Sequence, residues 1–313
     1  MKKILVGGLL LSTFFMLTGC GGSKKDSIDK ILDFNEDKTK VVGIKDRTIE
    51  ELTIPGTVKT IGKNAFYGCN NLIKVVISEG TETIEKAAFA KCENLRNIEF
   101  PESLTTIEGS AFKGCKNLEE IVIPKNVTTI NEFTFDGCNG LSKVTFQEGL
   151  TCIDDYAFNT CWILTNFTLP STLTEIGESA FFANEKITSL VIPSKVTTIE
   201  KNAFGGCREL VDLQVLGNLE VIDEGVFNCC AKLKTIVLSK SIKEIKKNAF
   251  IFDDVLEKIF YEGNPIEYGE IALSDTGNSS LYMATKYYYL ETKPTTPGNY
   301  WHYDSSNKPV LWD

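Results

Sequence analysis

Apolar positions along this chain recur in a fixed phase. Phenylalanine stands at residues 66, 89, 112, 135, 158, 181, 204, 227 and 250, always 23 residues apart. Five residues before each is an isoleucine (Ile61 to Ile245), and six after is a leucine, or Ile187 in one repeat. Nine and eleven residues after stand further apolar pairs such as Ile98/Phe100, Ile121/Ile123 and Leu190/Ile192. Within one unit, "IVIP" at 121–124 alternates and is β-branched, which predicts a short strand stopped by proline. "TTI" at 128–130 predicts a second short extended piece, and "GSAFKGC" at 109–115 a 3₁₀ or helical turn. Each unit is therefore one coil with two extended sides.

Such a coil cannot stand alone. About six buried side chains return ~1.5–3 kcal/mol each, whereas ordering its backbone costs ~1–2 kcal/mol per residue. Stacking closes the gap, because neighbouring coils share backbone hydrogen bonds ~4.8 Å apart. Equivalent residues then lie above one another, so each column accepts one kind of side chain. On the strand, residues nine and eleven after each phenylalanine point inward, and those at eight and ten point out. The outward rows contain Asn97, Glu99, Glu120, Val122, Lys143, Thr145, Asn166, Thr168, Ser189, Val191, Asp212 and Gln214. They read either as a solvated sheet face or as a candidate partner surface. Mixed charge with scattered valines suits a protein or polymer better than a small anion. Three residues after each phenylalanine comes a cysteine, except for Asn184 and Asp253. A spacing of 23 does not suit a zinc site, and stacked side chains are too far apart for easy disulfides. The column is expected to be buried thiols. Cys152 and Cys229 lie off it and are either incidental or candidate reactive thiols.

These residues resemble the BspA-like leucine-rich repeat proteins, whose signature approximates V-T-x-I-x-x-x-A-F-x-x-C-x-x-L-x-x-I-x-I-P. "SLTTIEGSAFKGCKNLEEIVIP" at 103–124 matches it almost throughout, and residues 58–262 follow it. The resemblance implies a β-rich, right-handed leucine-rich repeat solenoid of nine coils with a parallel sheet. It also implies a bacterial surface protein, several relatives being adhesins.

The flanks complete the expected organisation. Residues 1–19 read as a lipoprotein signal: Lys2 and Lys3, then a short apolar run ending "LTGC". Cys20 would carry the lipid that links the protein to a membrane; an ordinary secretory signal is the alternative. Residues 20–27 are expected to be a flexible tether, and 28–54 an N-terminal β cap with a hairpin at 31–44. Residues 55–262 are the solenoid and 263–313 an aromatic C-terminal cap of antiparallel strands. Tyr300, Trp301, Tyr303 and Trp312 could instead form a carbohydrate platform. The net charge is −9, and −11 without Lys2 and Lys3, which argues against nucleic acid. One histidine, His302, and no nucleophile or phosphate-binding motif leave no foothold for an enzyme, a cofactor or a metal. The expectation is a monomeric, extracytoplasmic protein that binds a host or envelope protein or a glycan. A structural envelope spacer without a specific ligand is the alternative.

Overall fold

The computed structural model describes residues 24–165 and 167–312. It is a β-solenoid of about eleven turns. Two parallel ladders run along it, with partners 23 residues apart: Leu213 lies beside Ile236 and Ile61 beside Ile84. The narrow ladder is made of two-residue strands such as Thr129–Ile130. The broad ladder begins Glu51–Ile54, Lys74–Ile77, Asn97–Glu99, Glu120–Val122 and Lys143–Thr145. It resumes with Ser189–Ile192, Asp212–Val215, Thr235–Leu238 and Lys258–Tyr261. Between the two parts, around Phe167, the described residues form no strand. There the inward positions of adjacent coils hold Phe146 and Phe167, whose rings meet edge-on at 5.6 Å. Most other coils place aliphatic residues there, so we attribute the break to ring bulk.

The nine phenylalanines form one continuous column. All are buried, and successive ring centroids lie 4.8 to 5.8 Å apart with interplanar angles of 3° to 24°. Near-parallel rings at such spacing are offset stacks, the arrangement the ring quadrupole permits. The thiol column lies beside them. Cys92 Sγ donates to the Phe66 carbonyl at 3.0 Å, Cys115 Sγ to Phe89 at 3.2 Å and Cys138 Sγ to Phe112 at 3.3 Å. Asn184 Nδ2 does the same toward Phe158 at 3.0 Å. All nine described cysteines are free.

The connecting turn is neither 3₁₀ nor helical, contrary to the expectation above. In every repeat the residues two before and two after the phenylalanine have positive φ, as with Asn64 at 57° and Gly68 at 64°. The amides at these positions and at the phenylalanine itself reach forward to the next coil. Ala87 N–H donates to Gly109, Phe89 N–H to Ala111 and Lys91 N–H to Lys113, at 2.7 to 3.2 Å. A helical turn would have kept these bonds within the coil and left the stack unjoined. Phe133, Tyr156 and Thr160 hold the same conformation without being glycine or asparagine, at a cost of ~1–2 kcal/mol each. Charged side chains follow the 23-residue spacing too: Lys232 pairs with Glu209 and Lys243 with Glu220, both at 2.6 Å. Such exposed pairs contribute at most ~1 kcal/mol each, but they favour the correct stacking order.

Both ends depart from the expected boundaries. A helix, Lys24–Ile31, begins inside the stretch expected to be tether. The hairpin Leu32–Phe34 with Lys40–Ile44 also starts the narrow ladder, since Val41 pairs with Ile61. Glu51–Ile54 is already a rung of the broad ladder, so the solenoid begins before residue 55. At the other end Ala272–Leu273 and Thr285–Tyr289 extend both ladders past residue 262. Fully buried Asn278 finishes the turn column: its Oδ1 accepts from Phe250 N–H at 3.1 Å, and its Nδ2 donates to the Lys246 and Ser274 carbonyls. In the other coils a carbonyl of the next coil accepts from that phenylalanine amide, and Asn278 Oδ1 takes its place.

Asp253 occupies the last place in the thiol column. It is fully buried, and neither carboxyl oxygen has a hydrogen-bond partner. Burial pushes its pKa up to about 8, far above 3.8. The folded chain therefore holds a proton that the unfolded chain has lost between pH ~4 and ~8. Stability should fall as pH rises through that window and level off above it. Asp253→Asn supplies a neutral donor, as at Asn184. It should raise stability by about 1–3 kcal/mol at pH 8 and by little at pH 4, measured by denaturant unfolding at both values.

Candidate partner-binding face

The strand pleat sets one side of the broad ladder to solvent. Val75, Ile121, Leu190 and Leu213 are buried in the core. Asn97, Glu99, Glu120, Val122, Lys143, Thr145, Ser189, Val191 and Asp212 are exposed on the other side, and Gln214 is half-buried. Thr168 is exposed but lies in the strandless stretch, and Asn166 lies outside the described residues. Cys20 and residues 1–19, the expected signal segment, also lie outside them. On the N-terminal half the face neutralises itself. Lys74 Nζ meets Glu99 Oε1 at 2.9 Å, and Lys143 Nζ meets Glu120 Oε2 at 3.0 Å.

The outward rows do not stay open to the end. Val237 and Phe260 have outward parity, yet they are 2% and 5% exposed. The chain curls over them. After Thr285–Tyr289 the strand Tyr300–Tyr303 continues the sheet in parallel, and Pro309–Leu311 returns antiparallel. Trp301, fully buried, packs edge-on against Phe260 at 5.6 Å, and its Nε1 donates to the Tyr261 carbonyl at 2.9 Å. Tyr303 donates its hydroxyl to Glu262 at 2.7 Å. This second apolar cluster is separate from the solenoid core. A carbohydrate platform therefore loses Trp301, while Trp312 stacks on His302 at 3.7 Å.

The curl walls a groove on the outward face. Its volume is about 810 Å³, and Ser189, Val191, Asp212, Gln214, Lys258 and Lys308 are among its lining residues. A second hollow of about 510 Å³ adjoins it at Ser189 and Val191 and reaches Phe167 and Thr168 at the break. Four predicted residues, Ser189, Val191, Asp212 and Gln214, are thus brought together with Lys308 and Pro309. Nothing periodic marks the last two, because the repeat has ended. Val122 and Glu99 line a smaller hollow farther along. Asn97, Lys143 and Thr145 lie on the open sheet. Among the described residues no group of three or more His, Cys, Asp or Glu could hold a metal ion. Cys152 and Cys229 are half-buried. Burial, with Asp154 and Glu175 nearby, pushes the Cys152 thiol up to about 11, and burial also raises Cys229. Neither is poised as a thiolate.

A family model for the BspA type leucine-rich repeat region matches residues 45–162 and 179–293, in six copies. The chain belongs to this family. A leucine-rich cell surface protein from Faecalibacterium prausnitzii is similar at 22% identity, covering 77% of this chain and 95% of that one, with a TM-score of 0.41. The Treponema pallidum leucine-rich repeat protein is 26% identical over 64% of this chain and 86% of its own, with a TM-score of 0.46. The pneumococcal vaccine antigen PcpA is 23% identical over 74% and 67%, with a TM-score of 0.47. No curated protein matches. Among the described residues no helix is long and apolar enough to cross a membrane.

In this BspA-type chain the C-terminal hairpin rests on its own cluster. Trp301→Ala should therefore release it without unfolding the coils. Proteolysis within 290–299 should accelerate and dye binding to exposed apolar surface should rise, while the main unfolding transition stays within ~1 kcal/mol, as expected for an uncoupled site. A single transition destabilised by ~3–5 kcal/mol, the cost of deleting an integral core aromatic, would show that hairpin and solenoid are one unit.

Proposed function

We propose that this protein is a lipid-anchored, extracytoplasmic binding protein that holds an elongated protein or polymer partner on the outward face of its broad sheet, in an adhesion role. The observation that carries this is the groove over Val191 and Gln214, where the outward rows meet a wall formed by Lys308 and Pro309. A solvated face needs no such wall. Val191 and Val122 are 46% and 52% exposed, so the face offers aliphatic contact as well as charge. Solenoids bind along extended faces of this kind. The surface placement is supported by family membership and by the order of basic, apolar and small residues before Cys20.

The test uses the full chain purified in mild detergent, over immobilised matrix proteins and a glycan array. The wild type should bind at least one probe saturably. Val191→Lys should weaken that binding at least tenfold, about 1.4 kcal/mol, with an unchanged circular dichroism spectrum. Unchanged binding would move the site off this face, and no saturable binding at all would favour a structural spacer. Separately, Cys20→Ala should abolish labelling by a radioactive fatty acid and release the protein from membranes. Continued membrane association would end the lipid-anchor reading.

A further inference from the structure

The charges in the groove differ from those on the rest of the face. Toward the N-terminus each outward lysine meets a glutamate of its own sheet: Lys74 with Glu99, Lys143 with Glu120. In the groove, Asp212 accepts from the Thr235 hydroxyl. Lys258 and Lys308 line the same space and take part in no ion pair among the described residues. Lys258 comes from the sheet and Lys308 from the turn before the returning strand, so two cations from distant parts of the chain converge on one hollow. The apolar lining beside them is aliphatic: Val191, Val211 and Pro309. Phe260 is the one aromatic ring lining this groove and is 5% exposed, with Trp301 fully buried behind it.

We infer that the groove takes an extended peptide segment carrying a carboxylate side chain next to an aliphatic one, the carboxylate between Lys258 and Lys308 and the aliphatic side chain on Val191. This rests on the outward face being the binding surface. The two unpaired ammonium groups complement an anion. The aliphatic floor suits Val, Leu or Ile, and within this groove a sugar ring meets only Phe260, 5% exposed. The groove crosses the rungs at Ser189, Asp212, Thr235 and Lys258. With rungs ~4.8 Å apart it spans roughly 15 Å, about five residues of extended chain. Gln214 lies along the same stretch, within reach of the backbone of such a peptide.

The test is selection of random dodecapeptides displayed on phage against the full chain in detergent, followed by fluorescence polarisation with the selected peptides. Enriched sequences should place Asp or Glu within two residues of Val, Leu or Ile. Lys258→Gln with Lys308→Gln should weaken their binding at least tenfold and flatten its salt dependence. Lys195→Gln with Lys240→Gln, two exposed lysines outside the groove, should leave it unchanged. Val191→Lys should also weaken it. If selected peptides lack acidic residues, or bind the Lys258/Lys308 variant normally while Val191→Lys abolishes binding, the carboxylate assignment is overturned and the face survives. If only glycans bind, and Val191→Lys abolishes that, the peptide class is overturned and the face again survives. If peptides bind and none of these substitutions matters, both readings fail. Circular dichroism of each variant separates loss of binding from loss of fold.

Discussion

Everything in this molecule depends on the phenylalanine column. Nine rings stacked about 5 Å apart require that each coil place its ring directly above the last. A single inserted residue would turn the next ring out of line and shift every side chain on the strand to the opposite face. The backbone enforces the same spacing independently, because turn amides bond forward to the next coil and strand amides bond back. Two mechanisms with one repeat explain why the interval holds at 23 through nine coils. They also explain why strained residues such as Thr160 persist at positive φ: the hydrogen bond Thr160 N–H makes to Phe182, at 2.8 Å, belongs to a column that stabilises the whole stack.

A column must end, and the structure handles its ends by substitution. Asn278 presents through its side chain what the missing coil would have presented through its backbone. Asp253 is the less complete solution, a carboxyl group where the other coils carry a thiol or an amide donor. Its burial makes the C-terminal coil sensitive to proton concentration in a way the central coils are not. The N-terminal end uses backbone instead, a hairpin whose second strand is itself the first rung of the narrow ladder.

How much of this was legible in the sequence follows from periodicity. The inward columns, the thiol column and the outward parity could be read directly, since nine repetitions make each column visible. The turn is not the 3₁₀ or helical one expected because propensity describes local bonding, while residues such as Ala87 and Ser110 are held at positive φ by hydrogen bonds between coils. The ends are not legible because their rungs, Glu51–Ile54 and Thr285–Tyr289, lack a phenylalanine to announce them. Half of the candidate site was in view: Val191 and Gln214 belong to the period. Lys308, Pro309 and the burial of Val237 depend on the path of an aperiodic tail, and no column in the sequence encodes that path.

Selectivity can arise where the repeat is broken. A perfect repeat presents the same surface at every rung, so it can grip an elongated partner but cannot tell one register along it from the next. Here the face is made unequal at two places, the break at Phe146 and Phe167 and the curl led by Trp301. The groove lies between them, at the only described stretch where the outward rows meet a wall from another part of the chain. For the partner proposed above, the repeats would supply a rigid, pre-ordered floor, which lowers the entropy lost on binding. The irregular elements would supply the asymmetry that lets one stretch of that partner be preferred over its neighbours.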